Sequence, residues 1–106
     1  MFKYIKFFNQ LAIKDVPVVG GKNASLGEMY RRLAKDKVKV PNGFATTAEA
    51  YNYLFKKTGV KEQIKKILKG LDTRNVNDLA KRGKACREVI LKAEFPVEFK
   101  KEILEA

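Results

Sequence analysis

The run Val19-Gly20-Gly21-Lys22-Asn23-Ala24-Ser25-Leu26-Gly27-Glu28-Met29 constrains this chain more than any other stretch. Adjacent glycines let the backbone bend and approach a ligand closely. The small residues behind them open a helix, and the first amides of a helix have no partner inside it. A helix start of that kind suits an anion, and Lys22 adds a mobile positive charge. The spacing is not that of a Walker A loop. That loop needs a glycine five residues before a Gly-Lys-Ser/Thr triplet, whereas position 16 is Val and position 23 is Asn. A bare Gly-Gly-Lys also fits a solvated turn. On the residues alone, the phosphate site and the turn stand side by side.

Apolar periodicity around this segment predicts a mostly helical chain. Tyr4 to Phe8 reads as a short strand, rich in aromatics around Ile5. Asn9 to Pro17 reads as a connection with a brief helical turn near Leu11. Leu26, Met29, Tyr30 and Leu33 recur at offsets of three and four, so a helix is expected over 24–33. Gly27 weakens that helix unless close packing or a ligand needs the missing side chain. Ala34 to Val40 reads as a basic loop in which Asp36 and Lys37 carry a turn. Pro41-Asn42-Gly43-Phe44 is a turn signal, with a short extended segment over 44–46. Thr46 followed by Glu49 is a capping-box pattern that starts a helix near Thr47, and Gly59 ends it. Val60, Ile64, Ile67, Leu68 and Leu71 mark the next helix. Asn75 or Asp72 caps another, with Val76, Leu79, Ala80, Gly83, Cys86 and Ile90 as its apolar stripe. Pro96 begins a last helix, which runs to Ala106 without a terminating signal, so the chain reads as cut there. The fold class expected is α+β: a mostly helical fragment with two or three short strands.

Bulk properties narrow the function. At 106 residues the chain is one domain or a piece of one. Its 23 lysines and arginines against 12 acidic residues give a net charge of +11, which favours phosphorylated ligands, nucleic acid or other anionic partners. The absence of histidine excludes histidine-based metal sites and histidine general bases. Cys86 is the single cysteine, so no internal disulfide forms and a reducing, cytoplasmic setting is expected. No apolar run approaches the ~18 residues of a spanning helix, and no signal-peptide pattern opens the chain. No membrane partner is expected.

Other candidates carry two readings each. Lys22 would neutralise phosphate charge while amides near Gly21 to Ala24 donate to phosphate oxygens, with Ser25 either helping or capping locally. Glu28 reads as a magnesium or ligand-hydroxyl contact, or more simply as a surface glutamate. Thr46 and Thr47 read as helix caps, Asn42 and Gly43 as turn formers. Cys86 reads as a small buried hydrophobe. Arg31, Arg32, Lys35, Lys37 and Lys39, beside Tyr30, form a basic cluster that would suit RNA or serve as a solvated surface.

The segment Asp15-Val16-Pro17-Val18-Val19-Gly20-Gly21-Lys22-Asn23-Ala24-Ser25-Leu26-Gly27-Glu28-Met29 resembles the N-terminal signature of the phosphoenolpyruvate synthase and pyruvate phosphate dikinase family. Its second half is similar to Val40-Pro41-Asn42-Gly43-Phe44-Ala45-Thr46-Thr47-Ala48-Glu49-Ala50-Tyr51. Tyr4 to Phe8 and Ile90 to Leu104 also match in character, so the resemblance spans nearly the whole chain. It implies that residues 1–106 are the N-terminal subdomain of an ATP-grasp-like nucleotide-binding domain, a truncated piece of a larger enzyme. A swivelling phosphohistidine domain and a C-terminal barrel for pyruvate or phosphoenolpyruvate would follow. The synthase branch converts pyruvate, ATP and water to phosphoenolpyruvate, AMP and phosphate.

The resemblance further implies that Lys22 contacts the ATP phosphates, that Gly20 and Gly21 position the backbone there, and that Mg2+ shares the charge load. Thr46, Thr47 and Glu49 match motif positions of structural character. No catalytic residue and no metal ligand is assigned within the chain. The stretch between Met29 and Pro41 is longer and more basic than the family pattern, and Asn42 stands where proline is usual. The Arg-Ser-Ser motif, the acidic metal ligands, the phosphohistidine and the pyruvate site are absent. The piece is expected to bind ATP weakly or not at all and to turn nothing over. The alternatives are a dikinase fragment, a standalone basic module for RNA or an acidic protein, and an inactive structural fragment.

Overall fold

A computed structural model describes residues 1–106. In chain order its elements are β1 (Ile5–Phe7), α1 (Val16–Val19), α2 (Gly21–Leu33), β2 (Phe44–Thr46), α3 (Ala48–Lys57), α4 (Val60–Leu68), α5 (Val76–Lys92) and α6 (Val97–Glu105). Single 3-10 turns lie at Phe8–Gln10, Ile13–Asp15 and Ala34–Asp36. The α+β reading holds, with two strands. The chain divides into one unit of residues 1–52 and 97–106 and a second of residues 53–96.

In the first unit β1 and β2 pair antiparallel, with Ile5 opposite Thr46 and Phe7 opposite Phe44. The Phe7 and Phe44 rings meet edge-on at 6.0 Å, a cross-strand aromatic pair of the kind that fixes register. Phe8, Leu11, Val19, Ala24 and Ala45 form the buried core, with Leu26 and Tyr30 against it. Tyr4 packs on Phe99 of α6, ring centroids 5.7 Å apart. The α6 carboxylate of Glu102 accepts from the amides of Lys3 and Tyr4, each at 2.6 Å. This clamp joins residues nearly a chain length apart.

The glycine-lysine segment differs from its expected course. Val16–Val19 is already helical, with Pro17 in its first turn where the missing N–H costs nothing. Gly20, at φ +84°, breaks the chain between α1 and α2. The second helix then starts at Gly21, three residues before the expected Ala24. Its most buried positions are Ala24 and Gly27, while Met29 is 44% exposed. The apolar stripe marks the packed side only in part: Leu26 and Tyr30 lie against the core, but α2 makes its closest approach through the small residues Ala24 and Gly27. A Cβ on Gly27 would lie 2.4 Å from the Leu11 Cβ, so close packing explains this mid-helix glycine.

The expected turn at Pro41–Phe44 is not formed, and residues 38–43 run without regular structure into β2. Asn42 and Gly43 are not turn formers. The Gly43 carbonyl accepts from the Phe8 amide at 3.0 Å, and the Phe8 ring sits 3.1 Å from where a Gly43 Cβ would lie. Tertiary contact with an aromatic ring outweighs the local turn preference. The turn near Asp36 and Lys37 does form, with Lys37 left-handed at φ 59°. The cap of α3 is Thr47 and not Thr46: its Oγ1 accepts from the Ala50 amide at 3.1 Å. The shift of one residue follows from the sheet, which holds Thr46 opposite Ile5. Glu49 is left to pair with Lys3 at 3.6 Å.

The second unit pairs α4 with α5. Asn75, and not Asp72, caps α5 through its Oδ1 and the Asp78 amide at 3.1 Å. Arg82 donates to the Ile67 and Lys69 carbonyls at 3.1 and 2.6 Å, closing the C-terminal end of α4 where carbonyls lack helical partners. Asp78 holds the same guanidinium at 3.0 Å. A groove between the helices is lined by Val60, Ile67, Ala85 and Val89. The stripe expected to be the core of α5 is mostly the wrong side, since Val76, Leu79 and Ile90 are exposed at 73, 41 and 41%. Cys86 is half-buried, between the two faces.

Candidate functional site

Gly20, Gly21 and Lys22 come together at the N-terminal turn of α2. Gly20 holds the cap position without a side-chain cap, and no acidic residue stands in the first turn. The Gly20 amide donates back to Val16 at 2.8 Å, and its carbonyl accepts from Ala24 at 3.0 Å. Asn23 turns its side-chain amide onto the Val19 carbonyl at 3.0 Å. That contact satisfies the end of α1 without covering the start of α2. The Gly21, Lys22 and Asn23 amides are first-turn donors with no acceptor in their own helix. Apart from the adjoining residues and the helix's own backbone, no atom lies within 4 Å of where a Cβ of Gly20 or Gly21 would stand. Lys22 is exposed. The result is an open cradle of N–H donors at the positive end of a helix dipole with one free-swinging ammonium beside it. That is the chemistry of phosphate binding.

Glu28 does not face this cradle as an open ligand. Its Oε2 accepts from the Ile13 amide at 3.0 Å, and its Oε1 meets the Arg32 Nε at 2.6 Å. The Ile13 hydrogen bond is the largest influence that lowers its pKa below the ordinary 4.5, with Arg32 adding to it. Glu28 therefore ties the Ile13–Asp15 turn to α2. Neither partner of Glu28 is among the sequence expectations: Arg32 is its i, i+4 neighbour on α2, and Ile13 lies 15 residues away.

The remaining candidates separate. Thr46 and Thr47 have sheet and cap roles. Ser25 is exposed on α2, and Arg31, Arg32, Lys35, Lys37 and Lys39 are exposed at its C-terminal end and beyond. A groove there is lined by Asn9, Ile13, Tyr30, Arg31 and Lys35. No group of three metal-ligating side chains occurs. No helix is long and apolar enough to cross a membrane. Sequence reasoning missed Glu102 and Arg82, because each acts on backbone far from it along the chain.

Comparison with known proteins gives the family of the chain. Residues 16–106 match the family described as pyruvate phosphate dikinase, AMP/ATP-binding domain. The chain is 45% identical over 104 residues to phosphoenolpyruvate synthase of Helicobacter pylori, covering 98% of this chain and 13% of that protein. It is 45% identical over 106 residues to the Pseudomonas aeruginosa phosphoenolpyruvate synthase, covering all of this chain and 13% of that protein. The Escherichia coli protein of that name is 45% identical over 102 residues, 96% of this chain and 13% of its own length. The chain thus spans about 13% of the length of these relatives. With the match running through both glycine-lysine and β2–α3 segments, the chain belongs to the pyruvate phosphate dikinase AMP/ATP-binding domain family.

Proposed function

We propose that residues 1–106 are the N-terminal subdomain of the ATP-binding domain of a phosphoenolpyruvate synthase, and that Gly20, Gly21 and Lys22 form one wall of its nucleotide site. The observation that carries this is the uncapped first turn of α2, open at both glycines and flanked by exposed Lys22. The family description supplies the nucleotide, and the relatives' name favours the synthase over the dikinase.

In this reading the amides at the start of α2 donate to phosphate oxygens. Lys22 neutralises phosphate charge and orients the chain of phosphates, work that in phosphoryl transfer is mainly positioning and electrostatics. The absence of a Cβ on Gly20 and Gly21 lets the oxygens reach the backbone. These residues fit a phosphate. They do not fit Mg2+, since both Glu28 oxygens are engaged within the chain. We place magnesium on carboxylates supplied outside residues 1–106. The phosphoryl-carrying histidine also lies outside, because the chain has no histidine. The remainder of the ATP-binding domain, the phosphohistidine domain and a separate pyruvate site complete the enzyme. Its reaction takes pyruvate, ATP and water to phosphoenolpyruvate, AMP and phosphate, a gluconeogenic direction in a reducing cytoplasm. The RNA-binding alternative is not favoured, because the family matched over residues 16–106 is an AMP/ATP-binding domain.

Titration of ATP into the isotopically labelled 106-residue chain tests the site. Millimolar ATP is expected to move the amide resonances of Gly21, Lys22 and Asn23 weakly, and Lys22→Ala is expected to abolish the movement. Shifts centred elsewhere, or unchanged in the variant, refute the assignment. The chain alone is expected to make no AMP from ATP and pyruvate.

A further inference from the structure

A continuous helix over 16–33 would bond the amides of Gly21, Lys22 and Asn23 to the carbonyls of Pro17, Val18 and Val19, each four residues back. The break at Gly20 removes all of these bonds. The bonds on either side survive: the Gly20 amide donates to Val16 at 2.8 Å, and the Ala24 amide donates to Gly20 at 3.0 Å. The amides at the start of α2 are therefore open only because the chain stays broken at one residue. Gly20 sits at φ +84° and ψ 163°, a region that only glycine enters readily. Glycine enters the helical region as well, so the residue does not hold itself in place. Packing does not hold it either. Gly20 is exposed, and no side chain beyond its chain neighbours lies within 4 Å of where its Cβ would stand.

One side chain crosses the break. The Asn23 Nδ2 donates to the Val19 carbonyl at 3.0 Å. That carbonyl is the one that the backbone amide of Asn23 would take in a continuous helix. The carboxamide thus stands in for the N–H of its own residue. Val19 is 8% exposed, and a carbonyl there is costly to leave without a donor. With the side chain as that donor, the carbonyl is satisfied and the backbone N–H of Asn23 stays free. Without a donor on the side chain, the backbone N–H is the nearest replacement. Rotation of Gly20 into the helical region would then join α1 to α2 and close the first turn.

We propose that Asn23 is the positioning residue of the phosphate cradle: its carboxamide occupies the Val19 carbonyl, stops α1 and α2 from becoming one helix, and keeps the Gly21, Lys22 and Asn23 amides open before a nucleotide arrives. The proposal rests on the reading of the start of α2 as one wall of a nucleotide site, for which the AMP/ATP-binding description of the matched family supplies the ligand. A site held open in advance spares the ligand the cost of opening it. Asn23 acts through the backbone and needs no contact of its own side chain with phosphate.

Amide hydrogen exchange and ATP titration of the labelled 106-residue chain test this, with Asn23→Ala, which removes the donor, and Asn23→Gln, which keeps it. Alanine is the best helix former, so circular dichroism is expected to show Asn23→Ala folded. In the ligand-free parent the Gly21, Lys22 and Asn23 amides are expected to exchange at close to the unprotected rate. In Asn23→Ala the amide of residue 23 is expected to slow by about tenfold or more as it takes the Val19 carbonyl. The response of this first turn to ATP is expected to weaken by a similar factor, and Asn23→Gln to restore both readouts. A role confined to satisfying the end of α1 predicts a lower melting temperature for Asn23→Ala, with fast exchange and an unchanged ATP response. That result overturns the proposal, as does an Asn23→Gln chain that behaves like Asn23→Ala. The exchange comparison needs no nucleotide. A parent chain whose first-turn amides ignore ATP would refute the nucleotide reading, and the exchange rates would still decide whether Asn23 holds the break open.

Discussion

Gly27→Ala is the most direct test of how α2 is held. The added methyl would stand 2.4 Å from the Leu11 Cβ and 3.1 Å from the Leu11 carbonyl oxygen. Carbon atoms in ordinary contact sit at ~3.5–4.0 Å, so α2 and the Leu11 segment must separate by about 1 Å. No rotamer change relieves the clash, because both atoms of the tighter contact are fixed to backbone. Leu11 is also 1% exposed and cannot retreat into solvent. Alanine gains about 1 kcal/mol over glycine as a helix former. Overpacking typically costs ~1–3 kcal/mol, and a backbone-anchored clash belongs at the upper end. The expected net loss is about 1–2 kcal/mol. That corresponds to a fall of about 5–15 °C in melting temperature for a domain of this size. Thermal unfolding by circular dichroism reads the fall, and hydrogen exchange at the Leu11 and Ala24 amides locates it. Adding Leu11→Ala is not expected to rescue the variant, since alanine keeps the offending Cβ. A Gly27→Ala chain as stable as the parent, or more stable, would refute the close-approach argument.

Glu102→Ala removes the acceptor of the Lys3 and Tyr4 amides and is expected to cost about 1–3 kcal/mol, read as a lower urea midpoint. An unchanged midpoint would mean that water serves those amides equally well. Glu28 gives a pH dependence. Its folded pKa is depressed below 4.5, mainly by the Ile13 amide and further by Arg32. Its stabilisation is therefore present above the unfolded value and lost as pH falls through the lower folded value. Glu28→Gln is expected to flatten that acid limb of the stability profile. An identical limb in the variant would assign the loss to other carboxylates.

The legibility of this chain followed the range of the forces involved. A cap of α5 at Asn75 or Asp72 was readable because an N-cap is decided within four residues, and the structure selects Asn75. The strand at Tyr4 to Phe8 was readable from its aromatic and β-branched content. The Thr46–Glu49 box was misplaced by one residue because strand pairing with Ile5 took Thr46 first. The Pro41–Phe44 turn failed because the Phe8 ring and amide claimed Gly43. On α5 the three-and-four stripe was real but faced outward. Periodicity reports that a helix has an apolar side, and it does not report which partner covers that side.

The local order of Gly20, Gly21 and Lys22 ahead of a small-residue helix was written in the sequence, as was the family signature around it. Those features depend on residue type and short-range backbone preference, and they predict a glycine-led helix start that would suit an anion. Tertiary structure decided how the cradle is held and what remains open in it. It started α2 at Gly21, seated that helix through Gly27 on Leu11, and turned Asn23 away onto Val19. It also withdrew Glu28 from ligand duty by giving its oxygens to Ile13 and Arg32. A carboxylate's partners are set by which backbone packs against it, and spacing along the chain carries no record of that.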